Sequence, residues 1–391
     1  MVEIALPTVD RRLESYRLGE PSPYWNLNGG SRAPFNRIAI AAAHVVADPL
    51  AEHDPWLDAP IDWDRTLAYR EALWDLGLGV AEAMDTAQRG SGLAWPQARE
   101  LIARSLDRAK TRSDDPLIAS GAGTDHLAPG AGVTLDQVVA AYEEQVAAVE
   151  ALGGRVILMA SRALAQAARG PEDYQRVYAR ILSQVSQPVI IHWLGEMFDP
   201  ALEGYWGSGD HETAMETCLS VLRDHADKID GVKISLLSKE KEIAMRRRLP
   251  AGVRMYTGDD FNYAELIHGD DEGHSDALLG IFDAIAPAAS AALGALARGA
   301  DNSFFDILEP TVALSRHVFQ PPTRFYKTGV VFLAYLNGFQ DHFVMVGGQQ
   351  SARSLFHLAE LLRLADKGRV LRDPELAARR MRHVMAVHGL A

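Results

Sequence analysis

The 391-residue sequence predicts an α/β fold: a (β/α)8 TIM barrel with an irregular N-terminal segment and a helical C-terminal extension. Three observations predict it. Short runs of apolar and β-branched residues alternate with longer helical patterns, the order that builds parallel βα units. Eight such runs fall between residues 37 and 282, the number that closes a barrel. Polar side chains gather where these runs end, the face on which such barrels carry their chemistry.

Residues 1–36 hold Trp25-Asn26-Leu27-Asn28-Gly29-Gly30 and several prolines, which reads as an ordered but irregular segment closing the barrel bottom or touching a partner. The expected strands are Arg37–Ala43, Gly79–Met84, Leu117–Ser120, Arg155–Ala160, Val189–Trp193, Gly231–Ser235, Val253–Thr257 and Ala277–Phe282. Helical patterns lie between them at Asp64–Leu76, Trp95–Arg112, Thr134–Leu152, Pro171–Ser186 and Glu212–Lys228, with Asp64 and Thr134 as N-terminal caps. The last two spacings are tight and leave room only for short helices. From Pro287 onward the pattern is helical, broken at Gln320-Pro321-Pro322-Thr323, with amphipathic runs at Ser351–Ala365 and Pro374–His388. The division expected is a segment 1–36, a barrel 37–287 and an extension 288–391. That extension buries its apolar face on the barrel or on a neighbouring subunit, and a homo-oligomer is expected.

Composition narrows the function classes. A formal net charge of -13 repels phosphate over most of the surface, so nucleic acid is not an expected partner. Cys218 is the single cysteine, which leaves no intramolecular disulfide and fits a reducing compartment such as the cytoplasm. The N-terminus Met1-Val2-Glu3-Ile4-Ala5-Leu6-Pro7 lacks a basic region followed by an apolar core, and the longest apolar stretch, Ala277 to Leu296, contains Asp283 and Pro287. No membrane segment is expected. Arg246-Arg247-Arg248 reads as a solvated face.

Lys233 is the most informative residue. It stands in the apolar run Asp230-Gly231-Val232-Lys233-Ile234-Ser235, where an ammonium is costly to desolvate unless paired or neutral. A neutral buried lysine is a nucleophile for carbonyls, which makes Lys233 a Schiff-base candidate. The competing reading is a lysine that snorkels into solvent or pairs with a carboxylate. At the ends of the other strands stand His44, Asp85-Thr86, Thr124-Asp125-His126, Ser161-Arg162, His192 and Asp259-Asp260. Singly, each fits a hydrogen-bonded core or loop residue. Together they outline one face of a barrel.

Gly231-Val232-Lys233, with Gly258-Asp259-Asp260 after strand seven, Gly121-Ala122-Gly123-Thr124 after strand three and Thr323-Arg324-Phe325-Tyr326-Lys327 near a C-terminal helix, resembles the dihydrodipicolinate synthase and N-acetylneuraminate lyase family of Schiff-base aldolases. The likeness spans roughly residues 37 to 335 and rests on order and spacing more than on any single motif. It implies a class I aldolase, or a dehydratase using the same intermediate. The departures bear on the substrate. Where that family holds a 2-oxo acid with a hydroxyl-rich turn after strand two, this chain has Ala83-Met84-Asp85-Thr86-Ala87-Gln88, and a carboxylate there disfavours an anion. Where the family has a Tyr-Asn-x-Pro run on strand five, Ile191-His192-Trp193-Leu194-Gly195 stands, with His192 in the place of the shuttling tyrosine. The family's Pro-Tyr-Tyr after strand four is replaced by Ala160-Ser161-Arg162-Ala163.

The expected chemistry follows. Lys233 is the nucleophile and His192 the proton shuttle, while Asp85, Thr86, Thr124, Asp125, Arg162, Asp259 and Asp260 bind the substrate or orient the catalytic pair. A small, hydroxylated, sugar-derived keto compound suits so acidic a mouth, and Arg162 is the counter-argument. No cofactor is implied, since no nicotinamide or phosphate fingerprint follows a strand. The first alternative is a metal-dependent sugar isomerase or class II aldolase, with His44, His126, His192 and His274 and Asp85 or Asp259 as candidate ligands. The second is a non-catalytic ligand-binding barrel.

Overall fold

The computed structural model describes residues 2–25, 34–54 and 57–390, so Asn26-Leu27-Asn28-Gly29-Gly30 of the N-terminal motif lies outside the described residues. Contacts divide the chain into two compact units, one of residues 37–43 and 79–279 and the other of residues 1–36, 44–78 and 280–391.

The first unit holds the barrel. Its strands are β3 (Ala39–Ala42), β4 (Gly79–Glu82), β5 (Ile118–Ala122), β6 (Arg155–Leu158), β7 (Val189–Leu194), β8 (Ile229–Ser235), β9 (Arg254–Thr257) and β10 (Asp276–Leu279), and β10 pairs back onto β3. Every neighbouring pair is parallel, and the ring is closed. The strands read as unbroken apolar runs because both faces are covered. Helices α2 (Trp95–Lys110), α3 (Leu135–Ala151), α4 (Arg162–Ala167), α5 (Pro171–Leu182), α6 (His211–Asp224), α7 (Lys239–Arg246) and α8 (Tyr263–His268) follow the strands in sequence. Thr134 caps α3 in a capping box with Gln137, as its position predicts. The two final helices of the barrel order are short, as the spacing requires.

The second unit carries a hairpin of β1 (Glu3–Pro7) and β2 (Leu13–Arg17), then α1 (Trp63–Asp75), α9 (Ile281–Ala284), α10 (Ala286–Ala297), α11 (Asp301–Val318), α12 (Tyr326–Leu336), α13 (Leu355–Lys367) and α14 (Pro374–Val387). The α1 cap is Asp62, whose side chain accepts from the Arg65 amide; Asp64 lies already inside the first turn, where its charge complements the helix dipole. The last barrel strand stops at Leu279, and Ile281-Phe282, read from sequence as its end, opens the helix Ile281–Ala284. Among the described residues, no helix is long and apolar enough to cross a membrane.

Candidate active site

Side chains two apart on a strand share a face. Ile40, Ala81, Ala119, Ile157, Ile190 and Tyr256 belong to the apolar cluster filling the barrel. His192 follows Ile190 by two on β7, and Lys233 is the register partner of both His192 and Tyr256. Histidine and lysine therefore stand side by side on the inner face, His192 one step nearer the C-terminal strand end than Ile190 and Lys233 level with Tyr256. Ser235, two residues beyond Lys233, places its Oγ 3.2 Å from His192 Nε2. All three are buried, Lys233 at 7% exposure. Gly258 makes the room: a Cβ there would clash with Ser235 Oγ and sit 2.8 Å from Lys233 Cε.

The surroundings set the charge states. Burial pushes the Lys233 amine below the usual lysine range, while the carboxylates of Asp260 and Asp85 pull it back up. Burial drives His192 well below the ordinary histidine range, and Lys233 adds like-charge repulsion. His192 is thus neutral near pH 7, and its Nδ1 is buried without a hydrogen-bond partner among the described residues.

Asp85 and Thr86 lie in a short turn after β4, Asp85–Ala87. Ala83 at φ 53° and Gln88 at φ 67° bracket it in left-handed backbone, which costs a non-glycine residue about 1 kcal/mol or more. Arg89 holds this strained turn. Its Nη1 donates to the carbonyls of Ala83 and Gly121 at 3.1 Å each, its Nε to Asp125 Oδ2 at 3.0 Å, and its Nη2 to Asp125 Oδ1 and, at 2.8 Å, to Gln145 Oε1. All five guanidinium N–H groups have acceptors. Burial raises the Asp125 carboxyl, but the Arg89 and Gln145 hydrogen bonds outweigh it and hold the group below its usual range.

Two cross-ties join the loops after β6 and β7. Arg162 Nε pairs with Asp199, and the Ser161 amide donates to Tyr205 Oη at 3.1 Å. Tyr205 in turn meets the Tyr178 hydroxyl at 3.0 Å, and Ser161 Oγ is 2.5 Å from Thr124 Oγ1. Gly207 seals the second loop, since a Cβ there would lie 2.5 Å from Pro171 N. Together these elements border a mouth with a cavity of about 60 Å³, lined among others by Asp85, Thr124, Arg162, His192, Asp199 and Leu202. Lys233 is not part of that lining.

The expected site residues separate into groups. Lys233, His192, Asp85 and Asp260 are brought together by geometry or by the electrostatic pull on the lysine. Thr124, Asp125 and Arg162 line the same mouth, while Thr86 is buried in its turn. Asp259 is turned to local work: its oxygens accept from the amides of Phe261 (2.8 Å) and Asn262 (3.1 Å) and from the Asn262 side chain (2.8 Å). His126 sits between Gln145 and Glu144. Within the second unit, His44 Nδ1 bonds Asp283 at 2.7 Å. Burial lowers His274, and among the described residues no three His, Cys, Asp or Glu side chains form a group that would hold a metal ion.

Sequence reading passed over Arg89, Gln145, Asp199 and Ser235. Only Ser235 had a local signal, because the two-residue period puts it on the face of Lys233.

The chain belongs to the family described as protein of unknown function (DUF993), whose model matches residues 4–390. No curated protein matches it in sequence. Its fold is similar to that of dihydrodipicolinate synthase structures. YagE, a prophage protein of the dihydrodipicolinic acid synthase family from E. coli K12 in complex with pyruvate, is 14% identical, with a TM-score of 0.65 over 86% of this chain and 99% of that one. The synthase from Oceanobacillus iheyensis is 15% identical, with a TM-score of 0.62 over 84% and 96%. The chloride-inhibited synthase from Acinetobacter baumannii, complexed with pyruvate, is 16% identical, with a TM-score of 0.60 over 85% and 99%.

Proposed function

We propose that this DUF993 chain is a Schiff-base lyase, a class I aldolase or a dehydratase using the same intermediate, that acts on a small hydroxylated keto compound of sugar type. The observation that carries the reading is the buried amine of Lys233, drawn below the usual lysine range on the inner face of the barrel beside neutral His192. A neutral amine adds to a ketone or aldehyde carbonyl, and loss of water leaves an iminium. In the aldol case the electrons of the neighbouring carbon–carbon bond flow into the iminium to give an enamine. The hydroxyl proton of the departing carbonyl fragment passes to His192, which returns it to the enamine carbon; hydrolysis then frees Lys233.

Charge at the mouth supports a neutral substrate. Asp85 acts on Lys233 from the turn where a 2-oxo acid's carboxylate would otherwise be held, and Arg89, the cation beside that turn, has every N–H engaged. Arg162 is tied through Nε to Asp199. Asp85 and Asp260 are then acceptors for substrate hydroxyls. Cytoplasmic location and a homo-oligomer complete the reading, as expected from Cys218 and the apolar helical extension.

Borohydride reduction with dihydroxyacetone or a ketose, followed by peptide mass mapping, tests it. A single adduct on Lys233 is expected, with weak protection by pyruvate and a smaller gap between the two ligands in Asp85→Thr. Absence of any adduct on Lys233 across small ketones removes the Schiff-base reading. Tight, saturable protection by pyruvate restores a pyruvate lyase.

A further inference from the structure

We propose that the end-on edge of the Arg162 guanidinium, its Nη1 and Nη2 groups, is a subsite for a carboxylate at the end of the substrate remote from the reacting carbonyl, which makes that substrate a keto sugar acid. The proposal rests on the lyase reading and sharpens its substrate class. The neutral character that Asp85 and Arg89 impose then belongs to the carbonyl end, and the far end is acidic.

Arg89 and Arg162 both line the mouth, and they differ in what they have left to give. Every N–H of Arg89 is engaged, whereas Arg162 donates through Nε to Asp199 and its Nη1 and Nη2 meet no acceptor among the described residues. A guanidinium only donates, so the sense of any hydrogen bond made there is fixed. The open edge lies at the mouth itself, for the Arg162 side chain is 41% exposed and Gly90 lines the same cavity. Gly90 makes the room: a Cβ on it would sit 2.9 Å from Nη1 and 3.5 Å from Nη2, and its φ of 69° disfavours other residues as well.

The acids of the lining divide in the same way. Asp125 is held by Arg89 and Gln145, and Asp199 by Arg162 and by the Ala201 amide at 3.1 Å. Asp85 is the carboxylate of the lining whose oxygens accept no hydrogen bond among the described residues. One spare anionic acceptor and one spare cationic donor edge therefore face the same space. Hydroxyls go to Asp85, which repels a carboxylate, and the carboxylate goes to Arg162, so the chain of the substrate lies in one direction only. A planar fork of N–H groups matches the two oxygens of a carboxylate, while a lone hydroxyl oxygen answers only one of them. Phosphate fits less well, since Asp199 already offsets the Arg162 charge and a doubly charged group suffers more from that neighbour than a singly charged one.

Calorimetric titration of the full chain with gluconate and with glucitol, its uncharged counterpart, tests the subsite without any carbonyl chemistry. Gluconate should bind about tenfold tighter or more, and both Arg162→Gln and Arg162→Lys should remove most of that gap, the lysine because it keeps the charge but not the fork. Equal affinities in the native protein, or a gap that survives in folded Arg162→Gln, overturn the proposal, and tighter binding of glucitol 6-phosphate than of gluconate overturns the choice of carboxylate. Borohydride trapping on Lys233 then places the charge. With its carboxylate remote from the ketone, 5-ketogluconate should reach half-maximal labelling at a concentration about tenfold below that of 2-ketogluconate, whose carboxylate is adjacent. An equal or reversed order overturns the remote placement. Absence of any adduct with either acid, while the gluconate gap still depends on Arg162, strikes the lyase reading and leaves the subsite standing.

Discussion

Two walls of one barrel are built on opposite principles. Around β4 and β5, Arg89, Asp125 and Gln145 are saturated: a buried cation spends five donors on five acceptors. Around β7 and β8, the side chains of Lys233, His192 and Ser235 share one hydrogen bond of 3.2 Å among the described residues, and a ring nitrogen stays buried without a partner there. A saturated ion cluster resists change because every departure strands a charge. The sparse wall keeps its polar atoms uncommitted, which is what a group that must form and break bonds requires. Buried charge alone therefore does not single out a candidate site; an uncommitted donor or acceptor is the sharper mark.

The largest expected effect is at the sparse wall. Lys233→Arg keeps the charge but removes a neutralisable nucleophile, so turnover should fall to background while circular dichroism and Tm stay close to native. Retained activity would erase the contrast between the walls. On the saturated wall, Arg89→Met leaves Asp125 facing its site without its cation, and a loss of roughly 3–5 kcal/mol in denaturant unfolding is expected. A change below about 1 kcal/mol would mean that the cluster is not the strut described.

His192→Ala ranks next. A relay that moves protons contributes about 10²-fold or more, so kcat should drop by that factor with KM nearly unchanged, and His192→Tyr should recover part of it with an altered pH profile. A silent His192→Ala would make the ring mere packing. A pH dependence is expected behind β9, where buried Glu242 accepts from Thr257 and Ser275 at 2.9 and 2.7 Å, and burial raises its carboxyl to about 8. The folded-state value lies above the unfolded one. Stability is therefore complete below the unfolded value and declines as pH rises toward 8, by at most about 1.4 kcal/mol per pH unit. Glu242→Gln should flatten the change in Tm between pH 5 and 8, and an unchanged slope would place the sensitivity elsewhere.

The barrel was legible because its eight strands are short apolar runs with helical patterns between them, and a parallel strand covered on both faces has no other way to be written. Lys233 was legible for the same reason: a charge breaks such a run visibly. The site's supports were not. Arg89 and Gln145 meet Asp125 from a turn and a helix, a convergence of segments 20 and more residues apart that no local period records. Asp259 and Asp260 look alike in sequence, yet the backbone turns one into a loop brace and leaves the other acting on the lysine. Arg246-Arg247-Arg248 reads as a solvated run, and Arg247 and Arg248 are exposed, paired at the surface with Asp270, Glu272 and Glu216.

The cross-ties between the loops after β6 and β7 bear on timing. Arg162 to Asp199 and Ser161 to Tyr205 fasten one loop to the other, and Gly207 pins the second against Pro171. A ligand that arrives on that side meets a surface already assembled, so selection there falls to static fit and not to a closing motion. On the lyase reading proposed above, no cycle of loop opening on that side would stand between one turnover and the next, and the pace would be left to the bonds made and broken at Lys233.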